Sequence, residues 1–351
     1  MGKSHLFDHN MEGLPCSVDA IVNEFVSLGG VLENLRIKKT SSGLGLFPVD
    51  ISCRSRVFAP DNLLVDSHSF AVNSAEIVIA PELLIPCREK EFIEFYYNCM
   101  SWGGDSGSRS CMRFVKELLR MPDKTKQLLF RVGFDLSPCD CDDPLDVFHQ
   151  SLSFFLGSRR ISYLGRSVMA PFVELLNHSP HGSILQIAND ESSFSGRNGI
   201  VVDSIGQSEA CIVYDYDALS LFLRYGFVSS EMRVFSLAQS CRLPSGYSIS
   251  VLGGKDISHP SDAKKKLEAF DREKKIVIPS LLLSYGGDQT ICFEVFRSML
   301  PDLDLIDVEA VWRGFYVRNN SFFKELKDSI ADLPTSSFMS GFNQVISDSL
   351  V

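Results

Sequence analysis

Positive charge is in short supply in this chain. Lys and Arg number 34 against 44 Asp and Glu, which leaves a net charge of -10 and a pI of about 5.2. General nucleic-acid binding needs a basic face, so direct nucleic-acid binding is not expected. A basic protein segment is an easier partner for such a surface. Long apolar runs are also missing: no stretch reaches the roughly 18 residues of a membrane span. The opening, MGKSHLFDHNMEGLP, lacks the apolar core of a signal peptide. Its sixth residue, Leu6, is not the Ser or Thr of the myristoylation pattern. An intracellular protein of cytoplasm or nucleus is expected, and an effector exported by a specialised system fits the same features. There is no internal repeat, no low-complexity run, no Walker loop, no dinucleotide fingerprint and no nucleophile elbow.

What is present is ordinary globular material. Hydrophobic residues make up 45% and charged residues 22% of 351 positions, enough for one large domain or two packed units. The 10 cysteines are scattered and read as reduced, mostly buried thiols. Cys139 and Cys141 stand in an acidic loop with no second pair, a poor zinc signature, and no metal is expected. Lys264 to Lys266 with Lys274 and Lys275 read as the polar face of a helix, or as a basic patch for an acidic partner.

The pattern predicts a helix over Val18 to Leu28, stopped by Gly29 and Gly30. Short strands follow at Leu35 to Lys38, Leu44 to Phe47 and Val57 to Pro60. Helical spacing then takes over at Lys90 to Cys99, Cys111 to Arg120, Lys124 to Phe130 and Pro144 to Phe155. Strands return at Val168 to Phe172, Ile184 to Ala188, Gly199 to Val202 and Ala210 to Tyr214. From about residue 230 the chain reads as mainly helical, with helices at Ala263 to Lys275, Thr290 to Met299, Val308 to Val317 and Ser321 to Leu333. The outline is a mostly β domain interrupted by a helical insert and followed by a helical tail.

Three segments carry chemistry. In Ser41-Ser42-Gly43-Leu44-Gly45-Leu46-Phe47, the Gly-x-Gly turn lets backbone approach a ligand closely because no Cβ intervenes. Alone it is more often a plain tight turn. Pro171 to Ser179 is an apolar run ending in Asn177-His178-Ser179. Asn offers a donor and an acceptor, as does neutral His; an isolated Asn-His-Ser more often caps a turn. Cys211-Ile212-Val213-Tyr214 delivers a tyrosine from a strand, and Arg224-Tyr225-Gly226-Phe227 closes a short helical stretch. Singly, each favours core packing.

In this order and at these distances the three resemble the SET-domain protein methyltransferases. The closest branch holds the plant Rubisco large-subunit methyltransferases and the actin-histidine methyltransferase. The matching residues are Ile21 to Ile51, Ser158-Arg159, Pro171 to Ser179, Tyr214, and Tyr225 to Phe227, over nearly the whole chain. The resemblance implies an α+β fold: a SET-domain β-fold with a pseudoknot over residues 1–231, a helical insert at about 80–157, and a C-terminal all-α substrate-binding domain over 232–351. It implies S-adenosylmethionine as cofactor, a protein substrate and a monomer. Gly43, Leu44 and Gly45 are expected to cradle the cofactor's methionine end. Asn177 and His178 are expected at its amino group and adenine, Arg159 near both cofactor and target, and Phe227 on the adenine. Tyr225 is expected to line the target channel, and Tyr214 to be the catalytic tyrosine.

Two residues depart from the family pattern. Glu174, assigned to the substrate side, stands where the family usually has Asp. The loop after Tyr214 is short and lacks the usual Ser-Asn, so Tyr216 competes with Tyr214 for its role. Tyr214 is preferred because it ends an apolar strand run. Methyl transfer from a sulfonium is an in-line displacement, in which alignment contributes roughly 7–11 kcal/mol. A lysine acceptor must first lose its proton, which an aromatic channel favours; a neutral histidine acceptor needs no such step. Lysine methylation leads, histidine methylation follows, and a non-catalytic SET scaffold that binds partner proteins is the rival from another class.

Overall fold

The computed structural model describes residues 18–40, 43–73, 76–80, 83–103, 107–136, 142–188, 196–212, 214, 217–226, 228, 232–253, 275–278, 281–285 and 288–350. The chain is α+β, in two compact units. The first comprises residues 1–113 and 148–213, the second 114–147 and 214–351.

The first unit begins with helix α1 (Val18–Ser27). Strands β1 (Val31–Glu33), β2 (Leu35–Thr40), β3 (Gly43–Pro48) and β4 (Ser55–Pro60) follow. Next come β5 (Val65–Asp66), β6 (Phe70–Asn73) and β7 (Glu76–Ile79). The insert supplies α2 (Cys87–Tyr96), α3 (Gly107–Leu119), α4 (Asp123–Arg131) and α5 (Pro144–Arg159). The chain then returns to β8 (Ile161–Tyr163), β9 (Arg166–Met169), β10 (Asn177–Ser183), β11 (Gln186–Ala188), β12 (Gly199–Ser204) and β13 (Cys211–Ile212). Helix α4 and parts of α3 and α5 count with the second unit.

The strands are short and form several small sheets. The largest has the order β1-β4-β12-β11. In it β4 runs antiparallel to β12 from Ser55 opposite Ser204 to Pro60 opposite Gly199, tying the start of the chain to its middle. Phe25, Phe92, Tyr96 and Phe172 stack at the centre of the unit, with Phe25 and Phe172 ring centroids 4.5 Å apart. Burying each such ring contributes about 1.5–3 kcal/mol.

Strand β13 lies parallel to β10. Ile212 is the register partner of both His178 and Ser183, so the segment between those two residues arches over it. Gly182 makes the crossing possible: a Cβ there would lie 2.6 Å from the Ile212 carbonyl carbon.

The second unit adds α6 (Ala218–Tyr225), then β14 (Met232–Val234), β15 (Gln239–Arg242), β16 (Ser248–Val251), β17 (Lys275–Ile278) and β18 (Leu282–Tyr285). Helices α7 (Thr290–Ser298), α8 (Leu305–Ser329) and α9 (Ser337–Ser349) complete it. Phe235, Ile249, Val251, Ile278, Phe296 and Phe315 are buried in one cluster, and Trp312 packs against it.

Several expectations need correction. The tail is helical from Thr290 onward, but residues 232–285 contribute five strands. These strands run to only three or four residues, too short for alternation to stand out. The two helices predicted around Val308 to Leu333 are one helix of 25 residues, because Asn319 in the polar gap is fully buried in line with Phe315 and Phe322. Helix α9 was not predicted. It is announced by Ser336, whose hydroxyl caps the Met339 N–H at 3.1 Å, and by Phe338, Phe342, Val345 and Ile346 on one face. The strand predicted over Val168 to Phe172 ends at Met169, and of the one over Ala210 to Tyr214 the described residues show Cys211 and Ile212 in a strand, with Val213 outside them. The described thiols are free as predicted but not mostly buried: Cys53 and Cys87 are exposed, four are half-buried, and Cys292 alone is buried. The helix predicted over Ala263 to Lys275, its lysine cluster apart from Lys275, and both Cys139 and Cys141 lie outside the described residues. No helix is long and apolar enough to cross a membrane among the described residues.

Candidate functional site

The polar motif residues of the first unit gather where β3, a 3-10 turn and β10 meet. Strand β9 ends at Met169, and the chain turns sharply at Phe172, a non-glycine residue with a φ of 65°. Such a conformation costs of order 1–3 kcal/mol and needs outside support. Tyr96, from the last turn of α2, supplies it: the Phe172 N–H donates to the Tyr96 hydroxyl at 2.9 Å. The 3-10 turn Val173–Leu175 follows, and Asn177 opens β10.

Glu174 sits in that turn with its side chain wholly buried. The Tyr96 hydroxyl donates to its Oε1 at 2.8 Å, and Arg159 Nε stands 2.9 Å from its Oε2. The Arg159 approach is an ion pair without an aligned hydrogen bond, because no donor points along the line to Oε2. Burial, with the Glu174 charge adding, pushes the Tyr96 hydroxyl well above the usual tyrosine range, so it remains a donor. Arg159 is held on two further sides. Its guanidinium carbon lies 4.3 Å over the Phe155 ring, and Nη1 donates to the Ser158 hydroxyl at 3.2 Å. About a third of the side chain (35%) is exposed. Glu174, expected on the substrate side, bridges Tyr96 and Arg159 with its two carboxylate oxygens.

Gly45 and Asn177 come together. In the β2–β3 ladder Gly45 stands opposite Lys38. A Cβ on Gly45 would lie 3.0 Å from Asn177 Nδ2 and 2.5 Å from Glu209 Oε1. Asn177 Nδ2 donates to Glu209 Oε1 at 2.5 Å. The Ala210 N–H donates to the Leu46 carbonyl at 2.8 Å, pinning the approach to β13 against β3. His178, the next residue, is half-buried, and desolvation pushes its imidazole down to about 4. It is neutral at pH 7 and offers one donor and one acceptor. A glycine against which polar side chains lie directly, an amide, a carboxylate and a neutral imidazole fit the polar end of a small amino-acid-bearing cofactor.

Tyr214 and Tyr225 are brought together in the second unit, with ring centroids 4.5 Å apart and planes inclined by 34°. Helix α6 delivers Tyr225. Asp217 caps its start, accepting from the Ser220 N–H at 3.3 Å and from the Ser236 hydroxyl at 2.7 Å. Gly226 ends it at a φ of 74°, the left-handed position that a Cβ disfavours. The Gly of Tyr-Gly-Phe is therefore a helix stop. Phe227 and Tyr216 lie outside the described residues.

Tyr96 and Glu209 were missed in the sequence. Tyr96 gives no signal there, since an aromatic on an insert helix reads as core. Glu209 had a weak one, a lone acid just ahead of the apolar run that leads to Tyr214.

No protein-family model and no curated protein matches the chain. Solved structures similar to it include the SET domain of LSMT bound to lysine and AdoHcy, at 15% sequence identity and a TM-score of 0.42, covering 95% of this chain and 88% of that one. Rubisco LSMT bound to AdoMet gives 15% identity and a TM-score of 0.42, covering 96% and 91%. Rubisco LSMT bound to sinefungin and monomethyllysine gives 15% and 0.40, covering 96% and 88%.

Proposed function

We propose that this chain is an S-adenosylmethionine-dependent protein methyltransferase of the SET type, acting on a lysine side chain. One observation carries the proposal: Gly45 and Asn177, 132 positions apart in the sequence (177 − 45), share one cradle beside a His178 kept neutral by burial. Those are the motif residues that the resemblance assigns to the cofactor. A side chain at position 45 would collide with the Glu209 carboxylate and the Asn177 amide.

Bound there, S-adenosylmethionine supplies an electrophilic methyl group carried by a sulfonium. Gly43, Leu44 and Gly45 hold its methionine end through backbone amides and carbonyls. Asn177 and His178 would take the amino group and adenine; Phe227, which the resemblance assigns to the adenine, lies outside the described residues. Arg159, held by Glu174, Phe155 and Ser158 and about a third exposed, is the basic residue we assign to the neighbourhood of cofactor and target. Tyr214 orients the acceptor nitrogen through its hydroxyl. Tyr225, stacked near it, supplies an apolar wall that disfavours a charged lysine ammonium and so frees the lone pair. Residues 232–351 hold the substrate protein.

The test is a calorimetric titration of the full chain with S-adenosylmethionine, Asn177→Ala beside wild type. Micromolar binding that the variant loses supports the proposal. Absence of binding to wild type overturns it in favour of a partner-binding scaffold. Labelled methyl transfer onto proteins, followed by hydrolysis, then distinguishes methyl-lysine from methyl-histidine.

A further inference from the structure

We propose that Glu209 is the anionic partner of the cofactor's α-ammonium group, an assignment that rests on the function proposed above. Three observations carry it. First, the Glu209 carboxylate is half-buried and packs directly over Gly45, with Oε1 2.5 Å from where a Cβ would stand, so only a glycine there lets the carboxylate lie against the strand backbone and Asn177. Second, no cation pairs with it among the described residues. Its one hydrogen bond there is accepted from Asn177 Nδ2, which satisfies one of several lone pairs. The nearest basic candidate by register, Lys38 opposite Gly45, instead places its ammonium 4.9 Å from the Phe47 ring centroid. Third, the neighbourhood is poorly solvated: burial pushes the Cys211 thiol up to about 11, and the Glu209 charge adds to the shift. A carboxylate with spare acceptor capacity in such a place attracts a primary ammonium with a charge-assisted bond.

The same contact orients Asn177. A carboxylate only accepts, so the amide edge facing Glu209 is the NH2, and Oδ1 is turned away from it. A cationic amine at the cradle then meets two acceptors, Asn177 Oδ1 and the Glu209 carboxylate. Glu209→Gln keeps an acceptor for Asn177 and removes only the charge.

The experiment compares two ligands by calorimetry: S-adenosylhomocysteine, and its analogue in which hydrogen replaces the α-amino group. Glu209→Gln and Glu209→Ala are measured beside wild type, with thermal midpoints as the check on folding. The expected result is a loss of about tenfold or more in S-adenosylhomocysteine affinity in both variants. Affinity for the deaminated analogue should stay unchanged or rise. Equal losses for both ligands, or no loss for either, overturn the assignment of Glu209 and leave the cofactor site standing. Wild type that binds neither ligand overturns the cofactor site itself, and the assignment with it.

Discussion

Replacing Tyr96 by Phe takes one oxygen out of the interior, and the structure indicates what that oxygen is worth. Tyr96 is fully buried, and its hydroxyl serves two partners, Glu174 Oε1 at 2.8 Å and the Phe172 N–H at 2.9 Å. Phenylalanine leaves a buried carboxylate oxygen without its donor and a buried amide without its acceptor, at a residue already held at positive φ. Each orphaned group costs about 1–3 kcal/mol, so Tyr96→Phe should lose about 3 kcal/mol. For a chain of 351 residues melting as one unit, that lowers the thermal midpoint by about 4 °C. The next residue supplies the control. Tyr97 is equally buried, yet its hydroxyl has no hydrogen-bond partner among the described residues. Tyr97→Phe removes a desolvated hydroxyl that gains nothing, so its stability should be unchanged or higher by up to about 1 kcal/mol. Thermal melting and urea unfolding of the two variants, side by side, give the answer. Equal losses, or a larger loss in Tyr97→Phe, would refute the network drawn around Glu174.

Tyr214→Phe should reduce methyl transfer by at least about a hundredfold while leaving S-adenosylmethionine affinity intact; if Tyr216→Phe is the inactive variant instead, the roles of the two tyrosines are exchanged. His178 adds a pH dependence. Its folded value of about 4 lies below the unfolded value of roughly 6.5, so its neutral form supports the fold fully above the unfolded value, and that support is lost as pH falls from there toward 4. The thermal midpoint of wild type should therefore fall more steeply over that window than that of His178→Gln, and parallel curves would contradict the burial of the imidazole.

Much of the first unit was legible because its signals are local. A helix stopped by two glycines, a Gly-x-Gly strand and an Asn-His after an apolar run each announce themselves within ten residues or so. The strands between 232 and 285 were not legible, because Ser248 to Val251 alternates over only four positions and gains its meaning from pairing with β15 and β17. The joining of two predicted helices into α8 depends on burial of Asn319, a residue that on propensity alone marks a break. At the site, the residues that carry a motif were readable and those that hold them were not. Tyr96 reaches Glu174 across 78 positions of sequence, and no spacing rule links them. Glu209 lies against Gly45 because that position carries no side chain, and only a folded backbone shows which carboxylate packs there.

The arch of residues 178–183 over Ile212 sets a timetable for synthesis. The cluster at Gly45 draws on residue 45, then 177, then 209, and β4 must wait for β12 before its far edge is covered. While the chain is still emerging from a ribosome, α1, the helices of the insert and the local pairs β2–β3 and β6–β7 can form from neighbouring residues, but the edge of β4 turned away from β1 stays open until β12 arrives. Closing pairings over such distances are slow and leave strand edges open in the interval. A chain arrested before Glu209 would hold every helix of the insert and the Gly-x-Gly strand, and would still have no wall at which the cradle ends.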